Sequence, residues 1–190
     1  MKRLLAFPLV LSGLLFMLAA CGNGETASTD ESGATENAQQ PVASTPGIQV
    51  HETDRYTIEI PEGWNLDVSH RMNTEFILFA PYDSTNNLFR ENVNMLIDPV
   101  GDSLSLADYI VHAKEVLTEH MEGFGNYRLR MDEDRAWLYY DGEQQTMILH
   151  FTQMMAQEGN DIYILTFTSN ASNTSNQMVA EDIMRSFRFK

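Results

Sequence analysis

From Ile48 onward, apolar and polar residues alternate over short stretches, the pattern of half-buried strands. Tyr56, Ile58 and Ile60 share one side of Tyr56–Ile60, and Pro61-Glu62-Gly63 ends that strand just before Trp64. Phe76–Ala80 is a compact apolar run and predicts a buried strand. Asn92–Asp98 alternates again, with Val93, Met95 and Ile97 on one side. The period then changes. Leu106, Tyr109, Ile110, Ala113, Val116 and Leu117 recur at helical spacing, which predicts a helix over Leu106–Met121. Ser105 with Asp108 three residues on gives it a capping-box-like start.

The remainder reads as an antiparallel meander of Tyr127–Met131, Ala136–Tyr140, Gln145–Ala156 and Ile162–Thr168. Asp132-Glu133-Asp134 and Glu158-Gly159-Asn160 are its turns, and Asp141-Gly142 carries a strong two-residue hairpin signal. A second helix is expected over Ser175–Ser186, with Met178, Ile183 and Met184 facing the core. The predicted fold class is α+β, an antiparallel sheet flanked by helices on both faces.

Residues 1–47 break with this pattern. Lys2 and Arg3 precede an apolar run, Leu4–Leu18, and Ala19 and Ala20 lead to Cys21, the order of a secretory signal. The run is short for a membrane span of about 20 residues. Leu18-Ala19-Ala20-Cys21 resembles the lipobox of bacterial lipoproteins, which implies cleavage between Ala20 and Cys21 and a diacylglycerol on the Cys21 thiol. More than one acyl chain makes such an anchor stable. Gly22–Gly47 contains no aromatic residue and is rich in Gly, Ser, Thr and Asn, the composition of a flexible tether. As a coil its 26 residues span about 28 Å. The expected organisation is a signal at 1–20, a lipidated cysteine and linker at 21–47, and one domain at 48–190.

Cys21 is the only cysteine, so an exported domain would hold together without an internal disulfide. Loss of Lys2 and Arg3 with the signal takes two positive charges away, and the formal net charge of −15 becomes −17. That balance argues against nucleic acid as a partner and against docking on anionic headgroups.

Three stretches together resemble the PsbP-like family: Tyr56–Trp64 with its Pro-Glu-Gly-Trp ending, Asn92-Val93-Asn94 ahead of the long helix, and the closing Ile183-Met184-Arg185-Ser186-Phe187-Arg188-Phe189. The resemblance implies a sheet sandwiched between helices and a binding or assembly role. It does not extend to the manganese–calcium cluster of the photosystem members, because no residues here match that role.

Candidate chemistry is sparse. His51, His70, His112, His120 and His150 show no metal-ligand spacing; His120, near the apolar stripe of the long helix, reads as a packed or capping residue. Asp132-Glu133-Asp134 lacks the frame of a calcium loop. Ser103 and Ser105 sit in no nucleophile elbow, and no glycine-rich phosphate loop is present. Carboxylates are too many to single out a pair. Trp137, Tyr139 and Tyr140 form the candidate partner-binding surface, or core if both sheet faces are covered. No cofactor is expected besides the lipid on Cys21.

The expected function is therefore a non-catalytic binding or assembly module of the cell envelope. It would be tethered to a membrane by lipid and work with an envelope protein partner. A small-ligand or metal carrier is the alternative, and an envelope hydrolase using a carboxylate pair is the third. Cys21→Ser is expected to abolish incorporation of labelled palmitate and to leave the uncleaved chain; labelling that survives the substitution would remove the anchor from this account.

Overall fold

The computed structural model describes residues 47–82, 89–101, 104–170 and 175–190. Ala20, Cys21, the signal, nearly all of the tether and Ser103 lie outside the described residues.

Seven strands form one antiparallel sheet in the order β3-β4-β5-β9-β8-β7-β6. These are β3 (Asn65–Asp67), β4 (Phe76–Phe79), β5 (Asn92–Pro99), β6 (Gly125–Asp132), β7 (Arg135–Gln144), β8 (Met147–Glu158) and β9 (Asp161–Asn170). A three-stranded sheet pairs β1 (Ile48–Glu52) with β2 (Tyr56–Pro61) and β2 with β10 (Arg188–Phe189). The helices are α1 (Leu106–His120), between β5 and β6, and α2 (Gln177–Ser186), between β9 and β10. β6 to β9 run as a sequential meander, and β5 pairs with β9 across its whole length. No helix among the described residues is long and apolar enough to cross a membrane.

Alternation along the strands sends side chains into two clusters. Trp137, Met154, Leu165 and Phe167 pack with Ile183 and Met184 of α2 and with Tyr56, Ile58 and Ile60 of the small sheet. Leu138, Met155, Ile162 and Ile164 pack with Tyr109, Ile110, Ala113 and Leu117 of α1. Each fully buried large apolar side chain contributes roughly 1.5–3 kcal/mol, and these clusters contain many. The α2 cluster thus draws on a second small sheet as well as a helix, which strand and helix periods alone do not announce.

Local chemistry accounts for the helix start. The Ser105 side chain accepts a hydrogen bond from the Asp108 amide at 3.2 Å, and its hydroxyl donates to Asp108 Oδ2 at 2.6 Å. Inside the α1 cluster the Tyr109 hydroxyl donates to Asp98 Oδ2 at 2.8 Å, which gives that buried carboxylate a partner. Arg135 ties the C-terminal segment to the meander by donating to the Phe187 carbonyl at 2.7 Å.

Three expectations need correction. The chain does not turn at Asp141-Gly142: β7 continues to Gln144, and Gln145 and Thr146, both at positive φ, make the turn. Gly142 serves a different purpose. A Cβ there would stand 2.4 Å from Met121 Sδ and 2.9 Å from its Cγ, so the missing side chain lets the end of α1 close on β7. Met178 is 78% exposed, and Ala180 takes its place in the core beside Ile183 and Met184. His120 is half-exposed, with Nε2 3.8 Å from a Glu119 carboxylate oxygen. Gly142→Ala is expected to lower stability by about 1–3 kcal/mol through overpacking. Met121→Ala in the same chain should recover part of that loss in a denaturant titration, because the two changes share one space.

Candidate functional site

The five histidines are dispersed. His51 on β1 lies 6.0 Å from the rings of Tyr56 and Phe76, and partial burial lowers its pKa below the ordinary value. His70 Nδ1 is 3.2 Å from the Thr74 carbonyl, before β4. His112 and His120 stand on α1 beside Glu115 and Glu119. Among the described residues no three metal-ligating side chains come together. Asp132-Glu133-Asp134 spans the turn between β6 and β7, where Glu133 takes a positive φ.

His150 alone meets a carboxylate in a concave setting. With the turn at Gln145–Thr146, Asp141 on β7 falls directly opposite His150 on β8, and Arg128, Tyr139 and Thr152 line up one step away on the same face. Asp141 lies within hydrogen-bond reach of His150 Nδ1 and accepts a hydrogen bond from the Asn126 amide. A bulge between Gly125 and Arg128, with Asn126 at φ 51°, brings Asn126 there. The carboxylate at Nδ1 selects the tautomer that leaves Nε2 for another group, and Nε2 has no partner among the described residues. Next to His150 on β9 sits Ser169, but it is wholly buried, so the row Asp141–His150–Ser169 presents no hydroxyl to solvent.

α2 supplies the far wall. Gln177, Glu181 and Arg185 are four residues apart and stack on one side of the helix. The Gln177 amide donates to Thr152 Oγ1 and to Glu181 Oε1, each at 2.9 Å, and Arg185 holds Glu181 Oε2 at 2.6 Å. Together β6, β7, β8 and α2 enclose an open cleft of about 640 Å³ whose lining mixes polar side chains with aromatic ones. Its chemistry is that of hydrogen-bonded recognition: amides, two carboxylates and one imidazole.

The structure divides the aromatic trio. Trp137 and Tyr140 are buried in opposite clusters. Tyr139 is half-buried and lines the cleft, with the Arg128 guanidinium 5.3 Å from its ring centre. Burial pushes the Tyr139 phenol up from its ordinary pKa and Glu181 adds to this, while Arg130, Arg185 and Arg128 pull it down. Arg130 and Arg185 also stand 5.4 and 5.2 Å from the Trp137 ring centre.

A second concavity, about 650 Å³ and mostly apolar, runs between α1 and β6. Ile110, Val111, Tyr127 and Leu129 form its floor, and Lys114 lies 4.7 Å over the Tyr127 ring. Sequence reasoning missed both concavities. The turn preference of Asp-Gly places Asp141 in a turn, and that one misplacement hides its partner on β8.

No protein-family model matches the chain. No curated protein matches it either. Solved structures do. Cyanobacterial PsbP from Synechocystis superposes with a TM-score of 0.54 at 12% identity, over 80% of this chain and 98% of that one. LpqN of Mycobacterium tuberculosis, described as involved in cell envelope biogenesis, gives 0.54 at 11% identity over 71% of this chain and 83% of its own. A Pseudomonas aeruginosa protein described as a putative regulator gives 0.50 at 15% identity, over 73% and 94%. At these identities the likeness shows the fold, which is α+β and PsbP-like.

The charges around Tyr139 make a prediction about its ionisation. In an alkaline titration of tyrosinate absorbance, read as the difference from Tyr139→Phe, Arg128→Ala is expected to move the midpoint higher still. Glu181→Gln should move it lower. The opposite order would mean that these groups do not face the phenol.

Proposed function

We propose that this protein is a non-catalytic binding or assembly module of the cell envelope, exported and held to a membrane by lipid on Cys21. The observation that carries the reading is that the two concavities border the same strand, β6, on its two sides and stay open to solvent. One recognises polar groups and the other apolar ones, so a partner can engage both around one edge. A domain hung on a 26-residue tether is suited to reach such a partner at a distance from the membrane. The envelope assignment also draws on the fold's occurrence in LpqN. In this reading the two core clusters are the two sides of an α/β/α sandwich, with β1, β2 and β10 sharing the side of α2.

A small-ligand carrier is the second reading. The cleft favours it, since about 640 Å³ falls within the size of small-molecule sites and polar groups converge there. A photocrosslinking residue at Leu129 or Tyr139 is expected to trap a discrete envelope protein, and one at Val50, on the edge of the small sheet, is expected to trap none. Equal or absent products at all three positions would overturn the binding-module reading. Native mass spectrometry of the protein as purified separates the carrier reading, which requires a retained small mass.

A further inference from the structure

We propose that the free edge of β6 takes up an extended, acidic segment of a partner protein as an eighth strand of the large sheet. This rests on the binding-module reading and names the partner's chemistry and the mode of docking.

The two ends of the seven-stranded sheet differ. β3 closes one end with three residues, too short to template a further strand. β6 closes the other with eight residues, and its outer N–H and C=O groups face no strand among the described residues. From Arg128 to Asp132 its pairing with β7 is regular. Edge strands are usually protected by charge, and Arg128 and Arg130 alone would read that way. Leu129 and Met131 between and beside them do not, being 46% and 54% exposed.

Alternation gives an added strand two distinct surfaces. Tyr127 and Leu129 continue into the apolar groove against α1, so every second side chain of the incoming segment would find Ile110 and Val111. The others would lie beside Arg128 and Arg130. In a chain of net charge −15 these two arginines form a local cationic row. Arg128 has no carboxylate partner among the described residues, and the nearest to Arg130 is Asp132 at 3.8 Å. Both guanidiniums rest near aromatic rings of the neighbouring strand β7, Arg128 on Tyr139 and Arg130 on Trp137. The occupant that fits is a segment with Asp or Glu alternating with apolar residues. A second copy fits poorly in the registers centred on the arginine row. A two-fold pairing of β6 centred on Arg128, Leu129 or Arg130 sets arginine directly opposite arginine, and like charges so placed repel.

The test uses the full chain and a fluorescein-labelled heptapeptide, Glu-Val-Glu-Leu-Glu-Val-Glu, read by anisotropy. Saturable binding is expected, at least ten-fold weaker for the Arg128→Glu/Arg130→Glu chain and for a peptide with Lys in place of Glu. The sharper arm is in the peptide. N-methylation at one alternate set of residues should abolish binding while methylation at the other set leaves it, because only one set of amides faces β6. That arm does not depend on any variant folding. Equal binding of both methylated peptides, indifference to the arginines, or no saturable binding would overturn the proposal. So would self-association of the chain that is lost in the double variant, which would assign the edge to a second copy. A trapped envelope partner that ignores these changes would leave the binding-module reading standing and remove this one.

Discussion

The central strands have apolar side chains on both faces, and the rest of the molecule is arranged to cover them. On β9, Tyr163, Leu165 and Phe167 point one way and Ile162 and Ile164 the other, and all five are buried. A sheet of this kind is stable only when layers close over both sides. Residues of α1 pack into one cluster; residues of α2, β2 and β10 pack into the other. The C-terminal Phe187 belongs to this demand, packing against Tyr56 and Tyr163 with ring centres 5.6 and 5.7 Å apart. With one cysteine in the chain, burial rather than cross-linking carries the fold.

The cover runs out at β6. Its residues are mostly exposed, and there the arginines of an acidic protein gather over aromatic rings. The same strand lines a cleft of mixed polar and aromatic lining on the α2 side and an apolar groove on the α1 side. The proposed binding surface is in that sense a consequence of layering: the strand at the margin of the sheet keeps its edge and its side chains exposed among the described residues.

The cleft shows how one local choice propagates. Asp141 meets His150 only because the hairpin turn lies at Gln145–Thr146. Asp-Gly is the better turn sequence by intrinsic preference, but Gly142 lies inside the strand, where a side chain would have to displace the methionine at the end of α1. Packing overrode propensity, and the new register set the pairs of the cleft.

The elements themselves were readable from the chain because their signals are local. The periods of Tyr56–Ile60, Asn92–Asp98 and Leu106–Leu117 reflect which side faces a core, and Ser105 with Asp108 marks a helix start through bonds within one turn. The Pro-Glu-Gly-Trp corner, the Asn-Val-Asn strand and the Phe-Arg-Phe ending also sufficed to point to the PsbP-like fold. Tertiary structure decided what depends on contacts between distant segments: the exposure of Met178 in favour of Ala180, the division of Trp137, Tyr139 and Tyr140 among two cores and a cleft, the meeting of Asp141 with His150, and the free edge of β6. Amphipathic period reports that a residue faces something. Which layer stands there, or whether any does, is settled only when strands far apart in sequence take their places in the sheet.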